Sequence, residues 1–414
     1  MKSIALLGAT GSIGDSTLDV IARHPDRFRL RAVSGHRNIA KLLSICQRFQ
    51  PEVVVVPDQS SGDLLLEGLG SSMNAKPEMS KALEIVIGER GLDQIAADPD
   101  VDVVVAAIVG AAGLSSCLSA AKAGKVIALA NKEALVMSGS LLRERCKQSG
   151  ASLLPVDSEH NAVFQCLPCS ALPHTGEEPL STVASMPQFG VEAITLTASG
   201  GPFRTWTKEQ MSEASVLQAV KHPNWSMGQK ISVDSATLMN KGLELIEAKY
   251  LFNLPADRLR VLIHPQSIVH ALVHYRDGSV IAQMGAPDMR TPIAQVLGWL
   301  DGPSQRISSG AQALDLTQIG RLDFEAPDLH RFPALGLAIG AMDQGGNAAC
   351  ILNAANEVAV EAFLKSHCRF TDIANCVEQV LEKMANSVEL QSLDEILDTD
   401  IRARCLAMEL LKLS

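Results

Sequence analysis

The sequence has no basic run and no surplus of positive charge: 36 Lys and Arg stand against 46 Asp and Glu, for a formal net charge of −10. A chain of that sign lacks the electrostatic footprint expected of a protein whose main partner is nucleic acid. Long hydrophobic runs are missing as well. The longest, Val103 to Leu114, falls short of the roughly 18 apolar residues that a membrane span needs, so no transmembrane helix is expected. Met1-Lys2-Ser3 leads straight into the apolar Ile4-Leu7, which leaves no room for a signal or transit peptide, and the expected location is cytoplasmic. Nine cysteines spread from Cys46 to Cys405 without framework spacing exclude a disulfide scaffold and suit reduced, mostly buried thiols. Cys166 and Cys169 form the one C-x-x-C. With no second pair and no His at ligand spacing, it is read as incidental.

What is present is a soluble composition, 47% hydrophobic and 20% charged over 414 residues, enough for two or three domains. Residues 1–156 alternate short β-branched runs with amphipathic helical stretches. The runs Ile4-Leu7, Arg29-Val33, Glu52-Val56, Glu84-Ile87, Val101-Ala106, Val126-Leu129 and Ser152-Val156 predict strands, several of them apolar throughout as in a sheet covered on both faces. The fold class is therefore α/β, opening with a doubly wound, Rossmann-like sheet. Gln59 to Lys81 predicts a loop or short helix inserted in that pattern. From 157 to 325 the pattern changes to a central α/β domain. It carries a helix over Asn161-Leu167, a Pro/Ser-rich loop over Pro168-Gly190, and strands at Ala193-Thr197, Val261-Pro265, Val269-Tyr275 and Val280-Gly285. The second sheet could pair subunits through an exposed face. Residues 326–414 turn helical, with Ala334-Met342, Ala349-Leu364, Ile373-Met384 and Leu393-Leu411 predicting a C-terminal bundle.

The first strand runs into Gly8-Ala9-Thr10-Gly11-Ser12-Ile13-Gly14 and then a helix, the arrangement that lets backbone N–H groups at a helix start meet a pyrophosphate. About 20 residues on, where an acid would select NAD, the chain reads Ser34-Gly35-His36-Arg37-Asn38. Arg37 and His36 favour the 2′-phosphate of NADP(H) instead. Asn131-Lys132-Glu133 follows a strand at the sheet's carboxyl edge, where Lys132 could neutralise charge on a substrate oxygen.

Asp157-Ser158-Glu159 sets two carboxylates two residues apart at the end of a strand. Either they share a hard divalent cation, or Asp157 or Ser158 caps a helix starting near His160. Ser199-Gly200-Gly201-Pro202 is an anion nest or a plain turn. Lys221 to Gly228 is a loop that nonetheless carries Trp225 and Met227, as core plugs or as the underside of a lid over a ligand that His222 could hydrogen-bond. Asp234 to Tyr250 predicts one helix, with Asn240 and Glu244 on one face.

Taken in order, G-A-T-G-S-I-G, A-N-K-E, V-D-S-E-H-N-A, S-G-G-P-F, H-P-N-W-S-M-G, D-S-A-T-L-M-N-K-G-L-E, H-P-Q-S and L-N-A-A-N-E closely resemble the 1-deoxy-D-xylulose 5-phosphate reductoisomerase family. The resemblance implies an NADPH-dependent rearrangement and reduction of that sugar phosphate to 2-C-methyl-D-erythritol 4-phosphate, requiring Mg²⁺, Mn²⁺ or Co²⁺, in a homodimer. It implies metal ligation by Asp157, Glu159 and Glu244. Substrate contacts would come from Lys132, Ser158, Glu159, Ser199, His222, Ser235, Asn240, Lys241 and Glu244, with Lys132, Glu159 and His222 closest to the chemistry. NADPH would be held by Thr10, Gly11, Ser12, Ile13, Gly35, Arg37, Asn38, Asn131, Glu133 and Gly228, under a lid bearing Trp225 and Met227. Two rival readings are a metal-independent NADP dehydrogenase and an NADP-sensing regulator without turnover.

Overall fold

The computed structural model describes residues 1–73, 83–168, 186–225, 227–302 and 305–413, with side chains 71–73 left out. Seven strands form the first sheet: β1 (Lys2–Leu7), β2 (Phe28–Ser34), β3 (Val53–Val56), β4 (Glu84–Ile87), β5 (Val103–Ala106), β6 (Val126–Leu129) and β7 (Ser152–Pro155). All pairs are parallel, in the order β4-β3-β2-β1-β5-β6-β7. The interior strands β1, β3 and β5 are apolar almost end to end and buried, as helices on both faces require. Those helices are α1 (Ser12–Arg23), α2 (Ile39–Phe49), α3 (Gln59–Met73), α4 (Glu89–Ala97), α5 (Leu114–Lys122) and α6 (Lys132–Ser149). The stretch expected to be a loop or short helix thus begins as a 15-residue helix, α3; Leu65 and Leu69 bury against the sheet and override its Ser and Gly content.

Strand order reverses between β1 and β5, and ligands bind α/β sheets at the carboxyl end of such a switch point. Gly8 leaves β1 there with φ +82°, and a Cβ on it would lie 2.7 Å from the Ala107 carbonyl. Gly14 is tighter still, 2.3 Å from the Ala9 carbonyl, so α1 starts against the strand end with its N–H groups facing the opening.

A four-stranded sheet follows, ordered β11-β10-β8-β9, from β8 (Val191–Ala198), β9 (Leu259–Ile263), β10 (Val269–Tyr275) and β11 (Val280–Met284). Helix α7 (Ser158–Cys166) packs across β10 and β11. Short helices α8 (Lys208–Ser212) and α9 (Val216–Ala219) precede α10 (Gln229–Thr237) and α11 (Met239–Phe252). The single helix expected over Asp234-Tyr250 is therefore two, broken at Leu238 with φ +61°. No Gly or Pro marks the break; Leu238 is 2% exposed, so packing holds a conformation that the residue alone would avoid. After α12 (Arg290–Trp299) and α13 (Leu316–Ile319), helices α14 (Pro333–Gln344), α15 (Ala348–Leu364), α16 (Phe370–Met384) and α17 (Leu393–Leu410) form the C-terminal layer.

Helix α11 lies where these layers meet, and small residues let it in. A Cβ on Gly139 of α6 would strike the Tyr250 ring at 2.3 Å, and one on Gly242 would meet Ala338 Cβ of α14 at the same distance. Leu243, Leu245 and Ile246 are buried, each contributing about 1.5–3 kcal/mol of burial that fixes the charged neighbours on the same helix. No helix among the described residues is long and apolar enough to cross a membrane.

Candidate active site

A cavity of about 550 Å³ opens between the switch point, α7, α10 and α11. It is lined both by the turn Gly11-Ser12-Ile13 at the start of α1 and by the carboxylates Asp157, Glu159 and Glu244.

Strand adjacency places the first charges. Leu129 of β6 pairs with Pro155 of β7, so Lys132 and Asp157, just beyond those strands, meet as an ion pair. Asp157 does occupy the N-cap of α7, yet its side chain makes no cap hydrogen bond. The carboxylate serves the cavity instead of the helix. Helix α11 brings the third acid: Glu244 Oε1 lies 3.0 Å from Lys132 Nζ, and Lys241 Nζ contacts Glu244 and lies 2.7 Å from Glu159 Oε1. Asn240 accepts from Lys132 Nζ at 2.9 Å and donates to Glu244. Ser158 Oγ donates to Glu159 Oε2 at 2.5 Å.

Oxygens from Asp157, Glu159 and Glu244 lie within 4.8 Å of one another. Three acids against two lysines leave an excess of negative charge in a buried place. Burial, reinforced by the Glu159 charge, pushes Glu244 above the usual carboxylate range. Burial works the same way on Glu159, but the Lys241 ammonium outweighs it and holds that acid low. Lys132 is likewise opposed by burial, and Asp157 and Glu244 overcome it, keeping the ammonium protonated well above its ordinary range. An all-oxygen set at this spacing fits a hard divalent cation, with positions left for substrate oxygens.

The loop at 221–228 closes one side. His222 Nδ1 accepts from the backbone N–H groups of Asn224 at 3.2 Å and Trp225 at 3.0 Å, so its proton sits on Nε2. That Nε2–H donates to Ser199 Oγ at 2.9 Å. Burial lowers the His222 pKa to about 4, and the ring is neutral at pH 7. Asn224 anchors the loop to H-P-Q-S through the Pro265 carbonyl at 2.6 Å and Ser267 Oγ at 2.9 Å. Trp225 turns its edge toward His270, with ring centroids 6.2 Å apart. Ser199 begins a glycine turn in which Gly200 and Gly201 both have positive φ, and a Cβ on Gly201 would lie 2.6 Å from the Ser235 carbonyl. Ser199 and Ser235 are thereby brought to one wall.

The residues expected at the nucleotide divide in two. Gly11, Ser12, Ile13, Glu133 and Gly228 line the cavity, as do Trp225 and Met227. Thr10, Gly35, Arg37, Asn38 and Asn131 do not. Gly35 is buried, while Arg37 and Asn38 are exposed, beyond the strand end. Asn38 accepts from Lys41 N at 3.0 Å as the cap of α2. Asn131 is 1% exposed, caps α6 and donates to the Gly110 carbonyl, which makes it a brace for the neighbouring Lys132 and Glu133.

Several site residues carried no separate sequence signal. His160 is fully buried, its Nε2 is 2.8 Å from the Glu244 carbonyl, and its Nδ1 is 3.4 Å from Glu247 Oε2. It thus links the helix of Asp157 and Glu159 to that of Glu244. Glu247, one turn on from Glu244, could have been found by its i+3 spacing; His270 and Lys230 could not. Cys166 is buried with its thiol pushed up to about 11 by burial, which fits an unreactive group. Cys169 and most of the Pro168-Gly190 loop lie outside the described residues.

Three family models cover the chain: 1-deoxy-D-xylulose 5-phosphate reductoisomerase over residues 4–139, and two C-terminal domain models of that enzyme over 153–252 and 284–406. A Psychrobacter protein named 1-deoxy-D-xylulose 5-phosphate reductoisomerase is 56% identical over 92% of this chain and 89% of its own length. One from Pseudomonas putida is 52% identical over 100% and 98%. A crystal structure of DOX-P reductoisomerase in complex with NADPH, fosmidomycin and magnesium superposes with a TM-score of 0.90 at 46% identity, covering 100% of this chain and 99% of that one. The Zymomonas mobilis enzyme in complex with NADPH gives 0.86 at 41% identity, covering both chains fully.

Proposed function

The chain belongs to the 1-deoxy-D-xylulose 5-phosphate reductoisomerase family, and on that premise we propose how its residues share the reaction. The protein is an NADPH- and divalent-metal-dependent enzyme that rearranges and reduces 1-deoxy-D-xylulose 5-phosphate to 2-C-methyl-D-erythritol 4-phosphate. Asp157, Glu159 and Glu244 hold the cation, which when bound polarises two neighbouring substrate oxygens so that charge can move between them. Gly11, Ser12 and Ile13, with Glu133 and Gly228, would hold NADPH, which would supply the hydride for the reduction.

The remaining steps are the work of the protein's side chains. Lys132 keeps its proton on Nζ and sets that positive charge against the substrate oxygen that becomes negative. Asn240 orients Lys132. Ser199, Ser235 and Lys241 bind the substrate's phosphate end, and His222 joins them as a neutral donor through Nε2. Ser158 and Glu159 flank the reacting hydroxyls, with Glu159 the candidate to carry a proton. Trp225 and Met227 cover the cavity and exclude water from the reactive aldehyde. Thr10, Gly35, Arg37, Asn38 and Asn131 shape the far side of the nucleotide site.

The observation that carries this reading is the meeting of three acids from segments remote in sequence, within 4.8 Å, in a cavity that the glycine turn also lines. The domain limits 1–156, 157–325 and 326–414 follow the same division of labour. A homodimer formed through the second sheet is supported by Val280 and Ile281, 48% and 46% exposed on the edge strand β11. A cytoplasmic location agrees with cysteines that are free among the described residues. The test is NADPH oxidation with 1-deoxy-D-xylulose 5-phosphate, with and without Mg²⁺. Metal-dependent turnover is expected, and robust turnover in EDTA would refute the assignment.

A further inference from the structure

Lys230 stands on the first turn of α10, two residues past Gly228 and five before Ser235. Local rules argue against a lysine there. A cation at a helix N-terminus opposes the dipole, and Lys before Asp at i,i+4 is the weaker order for a pair. A residue that breaks a local rule usually answers to tertiary demand.

That demand is visible around its ammonium. Nζ is 2.5 Å from Glu133 Oε1 and 2.9 Å from Asp234 Oδ2, and these carboxylate side chains are only 7% and 1% exposed against 21% for Lys230. The other oxygen of Asp234 accepts from Asn356 Nδ2 at 2.7 Å. Asn356 is fully buried on α15, inside the L-N-A-A-N-E motif. The next residue, Glu357, lies 2.5 Å from Arg404 of α17. One cation thus joins the helix after β6, the helix after the lid and the C-terminal layer. Without it, two buried carboxylates would face each other across the cavity wall, one of them beside the cofactor's own negative charge.

We propose that Lys230 is a positioning residue of the NADPH site: it neutralises Glu133 at the cofactor and ties the first turn of α10, and through it Gly228 and Ser235, to the cofactor side of the cavity. The idea rests on the cofactor role given above to Glu133. Its physical content is that nucleotide binding and the substrate-phosphate wall share one electrostatic anchor.

The test measures NADPH affinity directly by fluorescence titration, alongside steady-state kinetics and Mn²⁺ binding. Lys230→Met is expected to weaken NADPH binding by about 10- to 100-fold, the range for removing a partner that orients a binding group, while Mn²⁺ affinity stays within about twofold because the cation's ligands lie elsewhere. Lys230→Arg keeps the charge and should recover most of the loss. A folded Lys230→Met with parental NADPH affinity, or a Lys230→Arg equally impaired, overturns the proposal. Should Lys230→Met fail to fold, Asp234→Asn removes one arm of the anchor at constant shape. NADPH binding weakened by a few-fold is then expected, and unchanged binding refutes the idea. A failure of the family assignment would look different, since the parent itself would not oxidise NADPH with the sugar phosphate.

Discussion

The two ends of the cavity are held by opposite means. At the carboxylate end Lys132, Lys241 and Glu244 are nearly inaccessible, and every charge has a partner on another helix or strand. At the end proposed for the nucleotide, His36 and Arg37 are exposed beyond β2. Burying charge costs desolvation that only good geometry offsets, and the return is a site whose groups are aimed before the substrate arrives. An exposed arginine pays no such desolvation cost. On the proposed reading, the catalytic charges are the buried, paired ones and the groups for coenzyme selection are the exposed ones.

That contrast breaks most sharply at Glu244. Glu244→Gln is expected to reduce turnover by about a thousandfold or more and to weaken Mn²⁺ binding, followed by electron paramagnetic resonance, while NADPH affinity changes less than about twofold. A parallel collapse of NADPH binding would mean that the two ends are not separable.

His222 lies between the ends and gives a pH test. Its pKa falls from the usual histidine range to about 4 in the folded protein, so the unfolded chain takes up this proton first as pH drops. The stability tied to a neutral His222 is complete above the unfolded value of about 6.5 and is lost as pH falls toward 4. Denaturant titrations should show the parent losing on the order of 1 to 2 kcal/mol relative to His222→Gln between pH 7 and 4.5. Parallel pH curves for the two proteins would place His222 with the exposed groups instead.

The smallest effect is expected at the adaptable edge. Arg37→Ala should raise the KM for NADPH by about tenfold with kcat and the KM for NADH little changed, the pattern for loss of a phosphate contact. An equal change for both coenzymes would remove Arg37 from 2′-phosphate selection.

Much of this was legible in advance, for identifiable reasons. All seven strands of the first sheet fall on runs marked in the sequence, several of them apolar throughout because a strand covered on both faces must be apolar along its length. Asp157 could be read as cap or as ligand; its position at the N-cap without a cap bond reconciles the two, since the helix fixes the backbone and the ion pair takes the side chain. The break at Leu238 was not legible, because nothing in its residue type asks for positive φ. Asn131 was expected at the coenzyme; that its side chain also caps α6 and donates to the Gly110 carbonyl was not legible, because both partners are set by packing.

By itself the sequence determined the alternation of strand and helix, the glycine turn at the first strand, and which short segments carry acids, lysines and a tryptophan loop. These are local properties, set by side-chain shape and spacing over a few residues. Only the tertiary structure decided that Glu244 reaches Asp157 and Glu159, that His160 and Glu247 stand behind them, and that Lys230 answers to Glu133 and Asp234. Such partners are separated by as many as 97 residues, and a charge acquires its partner only when packing removes both from water.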